Sequence, residues 1–278
     1  MRTVLRSVAI ALVISVCAAA PGRPGRVLES AAVEFQPLNP ARGDASPQAG
    51  VLWGDIGKNV PTGAIVKFKD GFSSPPHIHN ITYRAVVIEG AIHNDDPDAA
   101  PMWMGPGSFW TQPAGEPHIT AAKSGKPAMI FLEIEAGPYL VRPTALAFDE
   151  GERPVNLEAG NIVWLRSVDT AWVVGAAVEI AFLWGSLEGN ARHGALLRFP
   201  AGAAGELKHD DAQLHLVVIG GPVGYGEADA EALAAGSYLS APASRQALSC
   251  QAAPGEQCLL YVSSRGRYRV EFLSDRQP

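Results

Sequence analysis

Apolar residues along this chain come in short runs, not in long amphipathic stretches. Residues 63 to 69, 83 to 89 and 128 to 135, with their counterparts later in the sequence, are Val-, Ile-, Phe- and Leu-rich segments bounded by Gly, Pro, Asp or Asn. Runs of this length and composition, punctuated by turn formers, predict β-strands. A sustained period of 3.6 is missing, except over Ala228 to Ala235, which fits one short helix or a loop. The pattern also repeats. Leu52-Trp53-Gly54 matches Leu183-Trp184-Gly185, and Gly63-Ala64-Ile65-Val66-Lys67-Phe68 matches Gly194-Ala195-Leu196-Leu197-Arg198-Phe199, both at an offset of 131. Val86-Val87-Ile88 and Gly90 meet Val217-Val218-Ile219 and Gly221 at the same offset. Past a two-residue deletion between Asn94 and Gly107 the offset is 129, where Gly107, Pro113, Gly137 and Tyr139 meet Gly236, Pro242, Gly266 and Tyr268. Such register across Gly, Pro and apolar positions marks a duplicated all-β domain. The boundaries it suggests are 33–148 and 149–278.

Composition agrees with many short strands joined by turns. The 278 residues include 29 Gly and 22 Pro, scattered through apolar segments and not massed in low-complexity tracts. The formal charge of -6 lacks the basic footprint of a nucleic-acid binder. The N-terminus changes the picture further. Arg2 and Arg6 precede an apolar or small run from Ser7 to Ala20, which reads as a secretory signal peptide over 1–20, followed by a linker over 21–32. Cleavage after Ala19 or Ala20 fits, and Pro21 favours the former. A rival reading lipidates Cys17, although the bulky Val16 stands where a small residue is wanted. The expected location is therefore the periplasm or the medium. No other stretch is long and apolar enough to span a membrane as a helix. Without the signal the chain carries 20 basic against 28 acidic residues and two cysteines, Cys250 and Cys258, around a Pro254-Gly255 turn. In an oxidising compartment these suggest a disulfide, with two unpaired thiols as the alternative.

Chemistry concentrates in the first copy. Gly71 is followed after five residues by His77-Ile78-His79, then three residues, Tyr83, six residues and Gly90. Further on, Gly107 is followed after five residues by Pro113-Ala114-Gly115, two residues and His118. In an extended strand His77, His79 and Tyr83 share a face, and a turn at Pro113 could bring His118 against it. Three neutral imidazoles converging in this way suit a divalent transition metal, with positions left open for water, substrate or dioxygen. At the corresponding places in the second copy stand Lys208, Asp210, Leu214 and Ala247, with Ser244 for Gly115. The second copy has kept the scaffold and lost the site, which leaves it as a packing or dimerisation partner. His209 and His215 survive there and read as surface or loop histidines.

The two motifs resemble those of the cupin superfamily, with Tyr83 in the place of the usual glutamate. The resemblance spans about residues 33 to 275 and implies two tandem cupin barrels (double-stranded β-helix, or jelly roll), a bicupin. It further implies a metal held by His77, His79 and His118: Fe(II) first, with Zn, Mn or Ni as the other candidates. Three-histidine cupins without the glutamate look like non-haem iron dioxygenases acting on small molecules. The arrangement also resembles bacterial two-cupin proteins known as a domain of unknown function, related to the zinc-binding cupin of ChrR-type anti-sigma factors, which implies a non-catalytic binding or sensing module instead.

Other residues differ between the copies in a suggestive way. Glu133, Glu135, Glu89 and His93 stand opposite Val262, Ser264, Gly220 and Gly224. Glu133 or His93 is the candidate to orient a ligand histidine or to act as acid or base, since a metal-bound imidazole needs a partner for its other nitrogen. A solvated face is the alternative for Glu133 and Glu135. Tyr83 fits three roles: a direct ligand, a phenol donor to substrate, or an aromatic wall. Phe68, Phe72, Trp103, Phe109, Trp110 and Phe131 would line a pocket, or equally form barrel core. No phosphate-binding glycine loop and no G-x-S-x-G nucleophile elbow occurs. Metal chemistry on a small molecule is what remains.

Overall fold

The computed structural model describes residues 25–210, 214–226, 231–241 and 244–272. The proposed signal peptide, Cys17 and the start of the linker lie outside them, as do residues 228 to 230 of the candidate helix. From 231 to 235 the chain is not helical. Among the described residues the protein is all-β, with four short 3-10 turns, and no helix is long and apolar enough to cross a membrane.

Twelve strands come before residue 160: β1 (Arg26–Leu28), β2 (Gln36–Pro37), β3 (Gln48–Trp53), β4 (Thr62–Phe68), β5 (Ile78–His79), β6 (Tyr83–Glu89), β7 (Ile92–Asp95), β8 (Phe109–Gln112), β9 (Ile119–Ala122), β10 (Ala128–Ile134), β11 (Val141–Arg142) and β12 (Val155–Leu157). Ten follow: β13 (Val173–Val174), β14 (Glu179–Gly185), β15 (Arg192–Pro200), β16 (Ala204–His209), β17 (Leu214–Gly220), β18 (Val223–Tyr225), β19 (Tyr238–Ala241), β20 (Ser244–Cys250), β21 (Gln257–Arg265) and β22 (Tyr268–Phe272). The first large sheet runs β12-β8-β6-β10-β4-β3-β2 and the second β1-β19-β17-β21-β15-β14. Their shared order is the sequence repeat made visible, since β6 and β17 start 131 residues apart and β8 and β19 start 129 apart. Even the irregularities recur. The register shift between Val51 and Trp53 has its counterpart between Phe182 and Trp184. Beside each shift a tryptophan ring lies over a glycine: a Cβ on Gly63 would meet Trp53 at 2.2 Å, and one on Gly194 would meet Trp184 at 2.0 Å.

The apolar runs are continuous, not alternating, because the central strands are buried on both faces. In β6, Tyr83, Ala85 and Val87 face a core inside the first half with Trp110, Ile130 and Leu132, while Val86 and Ile88 face a second core. That second core lies between the two large sheets and includes Phe131, Phe109, Leu196, Val217 and Tyr261. A third core fills the second half around Ile180, Leu216, Leu260 and Phe272. Cys250, at the end of β20, and Cys258, in β21, form a disulfide across an eight-residue separation.

The halves also exchange strands. β1 precedes the first half yet pairs with β19 of the second sheet, and β12 precedes the second half's strands yet pairs with β8 of the first. The turns after them are anchored alike: Ser30 N–H donates to Ser237 Oγ at 2.9 Å, and Ala159 N–H to Ser108 Oγ at 3.0 Å.

Candidate metal centre

Backbone pairing brings the three histidines together. His77, just before β5, and His118, just before β9, form an isolated antiparallel bridge: His77 N–H donates to His118 O at 3.0 Å and His118 N–H to His77 O at 2.9 Å. His79 sits one pleat further on. β11 pairs with it, and Gly115 N–H of the Pro113-Ala114-Gly115 turn donates to its carbonyl at 2.8 Å. The chain bends after His79, so Tyr83 begins a separate strand and does not continue the His-x-His one. It still reaches the group, with its ring 5.1 Å from that of His79.

Each imidazole is held by the same device. His77 Nδ1 lies 2.9 Å from Pro75 O, His79 Nδ1 lies 3.2 Å from Leu140 O, and His118 Nδ1 lies 3.1 Å from Glu116 O. A carbonyl only accepts, so each Nδ1 carries the proton and each Nε2 keeps its lone pair. The Nε2 atoms of His77 and His79 are 3.2 Å apart, and one ligand nitrogen from each of the three residues lies within 4.8 Å of the others. Burial lowers the pKa of all three. His118 falls to about 3, first through burial and then through its neighbour His77. His79 is pushed well down by burial and then by His118 and His77. His77 moves the same way, opposed by its bond to Pro75 O. These are three neutral bases facing inward, and the buried His118 Nε2 has no hydrogen-bond partner. Converging lone pairs repel one another; a divalent cation of the N-ligated kind is what such a donor set fits.

A polar chain surrounds the trio. Tyr83 O–H donates to Asn94 Oδ1 at 2.8 Å, as does Thr120 O–H at 2.7 Å. Asn94 Nδ2 donates to Gln112 Oε1 at 2.9 Å, and Gln112 Nε2 to Glu116 O at 3.1 Å, the carbonyl that also takes His118 Nδ1–H. Tyr139 stacks on His79 with centroids 4.3 Å apart, and its hydroxyl donates to His79 Nε2 at 3.1 Å. Burial raises the Tyr83 phenol to about 12 and lifts Tyr139 well above its ordinary value, so both keep their protons. A cavity of about 130 Å³ opens beside the group, walled by Val66, Phe68, Phe72, Trp110, Ile130 and Leu132.

Several candidates from the sequence stand elsewhere. Glu133 is buried but points away from the histidines. Leu132 and Ile134 face the inner core, and by strand alternation Glu133 faces the second sheet. There it accepts from Tyr261 O–H and Ser263 O–H at 2.7 Å each, with Arg192 Nη1 at 3.5 Å. Glu133 is therefore neither a solvated carboxylate nor a partner of the metal group. His93 is buried too, yet its Nδ1 accepts from Met102 N–H at 3.3 Å and its ring meets Trp103 at 6.0 Å. The inward residue of that strand is its neighbour, Asn94. Of the six aromatics, Phe68, Phe72 and Trp110 line the cavity; Phe109 and Phe131 belong to the core between the sheets, and Trp103 is exposed. His209 and His215 are not at the surface: both are buried, and His215 stacks on Trp53 of the first half with centroids 4.2 Å apart. Asn94, Gln112, Thr120 and Tyr139 were missed. Only Tyr139 left a trace, as one of the residues matched across the repeat.

Comparison with known proteins bears on fold. A family model described as "Domain of unknown function (DUF4437)" matches residues 26–271. No curated protein matches the chain. Among solved structures, a "putative dioxygenase" from Nostoc punctiforme is similar, with TM-score 0.63 and 14% identity over 90% of this chain and 87% of that one. GK1651 from Geobacillus kaustophilus has TM-score 0.54 and 17% identity over 89% and 98% of the two chains. Bacillus subtilis oxalate decarboxylase, a protein with Mn(II) centres, has TM-score 0.52 and 13% identity over 88% and 78%. At such identities the likeness is one of fold, and the fold is the cupin fold.

Proposed function

The chain belongs to the DUF4437 family, and from there we propose that it is an exported bicupin with one divalent-metal site, acting as a metal-dependent, dioxygenase-like enzyme on a small organic molecule. The barrels are 33–148 and 149–278, after a signal peptide over 1–20, and the metal ligands are His77, His79 and His118. One observation carries the reading: three imidazoles, each with Nδ1–H spent on a backbone carbonyl, keep their Nε2 lone pairs, and one ligand nitrogen from each lies within 4.8 Å of the others. Nothing comparable stands at the matching positions of the second half, where Lys208 pairs with Glu271.

Bound there, Fe(II) would supply Lewis acidity and redox chemistry toward dioxygen. The chain's own residues do the rest. Pro75, Leu140 and Glu116 carbonyls fix the tautomer and aim of each histidine. The apolar wall excludes water. Tyr139, kept protonated by burial, holds its hydroxyl proton at His79 Nε2, 3.1 Å away. Tyr83, whose hydroxyl is committed to Asn94, serves as a positioning residue.

Elemental analysis of purified protein should find close to one transition metal per chain, lost in His118→Ala. Anaerobic loading with Fe(II), followed by oxygen-uptake screening against small thiols, diketones and flavonols, should then give turnover. Protein that carries no metal and takes none on titration would end the metalloenzyme reading. Tightly held zinc without turnover would assign the protein to the binding or sensing class.

A further inference from the structure

The cavity beside the histidines is apolar along its walls and charged at its mouth. Of the residues that line it, Arg42 alone carries a charge, and no carboxylate is among them. Arg42 sits on the 3-10 segment Pro40–Ala45, none of whose side chains is buried, in the loop between β2 and β3. The loop is instead closed on itself: Leu38 N–H donates to Pro47 O at 2.9 Å, Asn39 N–H to Ser46 Oγ at 2.9 Å, and Ala41 N–H to Asn39 Oδ1 at 3.1 Å. Arg42 joins in only through its backbone, its N–H donating to Asn39 O at 3.0 Å, and among the described residues its guanidinium has no hydrogen bond or ion pair. An arginine kept at a cavity mouth without an internal partner is a ready fork for a carboxylate.

The second half shows what the same loop does without a site to serve. The Leu165–Ile180 bridge matches the Gln36–Ala49 pairing of the first half, so the segment between corresponds to the Arg42 loop. In that position it carries Trp172, buried and packed on Tyr268 and His193 with centroids 5.0 and 5.4 Å away. Tyr268 is the counterpart of Tyr139. One copy of the loop therefore buries an indole in its half's core; the other holds a free cation beside an open cavity. The open space, about 130 Å³, is on the scale of a cavity that takes one benzene ring, about 150 Å³.

We propose that this cavity receives a compact apolar carboxylate, its hydrocarbon or aryl body between Phe68, Phe72 and Ile130 and its carboxylate on the Arg42 guanidinium. The proposal rests on the small-molecule reading of the metal site and names its substrate class. Benzoate, phenylacetate and 3-phenylpropionate, each beside its neutral primary amide, serve as probes. Their affinities are measured by titration calorimetry on the full chain, metal-loaded and chelator-stripped, for wild type, Arg42→Ala and Arg42→Lys. At least one carboxylate should bind wild type about five-fold or more tightly than its amide. Arg42→Ala should erase that preference, and Arg42→Lys should restore part of it. A preference that survives Arg42→Ala would put the carboxylate on the metal and overturn the proposal, as would failure of every carboxylate to bind. Because the stripped protein should keep the Arg42-dependent preference, failure of the metal reading shows separately, as absent metal uptake.

Discussion

Adding metal to chelator-stripped protein should raise its melting temperature, and the size of the rise follows from linkage. A ligand that binds only the folded state stabilises it by about 2.7 kcal/mol at a hundred times its dissociation constant and about 4.1 kcal/mol at a thousand times. One ligand nitrogen of each histidine already lies within 4.8 Å of the others, so metal entry need only release the Tyr139 hydroxyl from His79 Nε2, and the unfolded chain offers no comparable site. For a chain of this size each kcal/mol moves the midpoint by roughly 2–4 °C, which sets the expected rise at about 5–15 °C. Differential scanning fluorimetry with Zn(II), Mn(II), Fe(II) under argon and Ni(II) reads it directly. His118→Ala removes one of three ligands and should abolish the rise. His209→Ala should lower the metal-free midpoint, because that side chain is buried in the second half, but keep the metal-induced rise. An equal rise in wild type and His118→Ala would refute the reasoning, and so would no rise with any of the four metals.

Three further outcomes concern the stability of the fold. Burial raises the Glu133 pKa above 4.5, outweighing the hydrogen bonds from Ser263 and Tyr261 and the charge of Arg192 at 3.5 Å. The folded state then keeps a proton that the unfolded chain releases, so this contribution is full below pH 4.5 and is lost as pH rises through the folded pKa. The melting temperature of wild type relative to Glu133→Gln should accordingly fall between pH 4 and 8, and a gap that widens with pH would show the reverse shift. Glu133→Ala, which strands the buried Arg192, should cost about 3–5 kcal/mol in denaturant unfolding and leave metal content unchanged. Reduction of Cys250–Cys258, which closes a short loop, should cost about 2.5 kcal/mol by the loop-entropy relation. Identical midpoints with and without reductant, on protein shown by mass to hold the bond, would refute that value.

The strands were legible because the chain advertises them. Segments such as Ala128–Ile134 are apolar but for Glu133, since both faces are covered. The histidine group was legible because its local spacing, His-x-His and a third histidine behind a turn, survives folding as a backbone bridge between His77 and His118. Glu133 was misread for a physical reason: a one-residue step along a strand reverses its face, and the partners that bury it, Tyr261 and Ser263, come from the other half of the chain. His93 failed by the same single step, with Asn94 taking the inward place. His215 looked like a surface residue only because no spacing rule reports that Trp53 would stack on it from the opposite sheet. Tyr139 lies 60 residues from His79 and reaches it through the β11–β5 pairing, which no local pattern encodes.

The exchanged strands β1 and β12 decide how this protein tolerates being shortened. Arg26–Leu28 covers the edge of β19, more than two hundred residues downstream, so trimming the N-terminus to the first obvious core strand would bare a sheet edge in the far half of the chain. Expressing residues up to 148 alone would do the same to β8, whose cover is Val155–Leu157. Exposed edges of this kind recruit other chains, so either fragment is headed for aggregation. The useful cut sites lie outside both straps, and any leader removed from the front must end before residue 26.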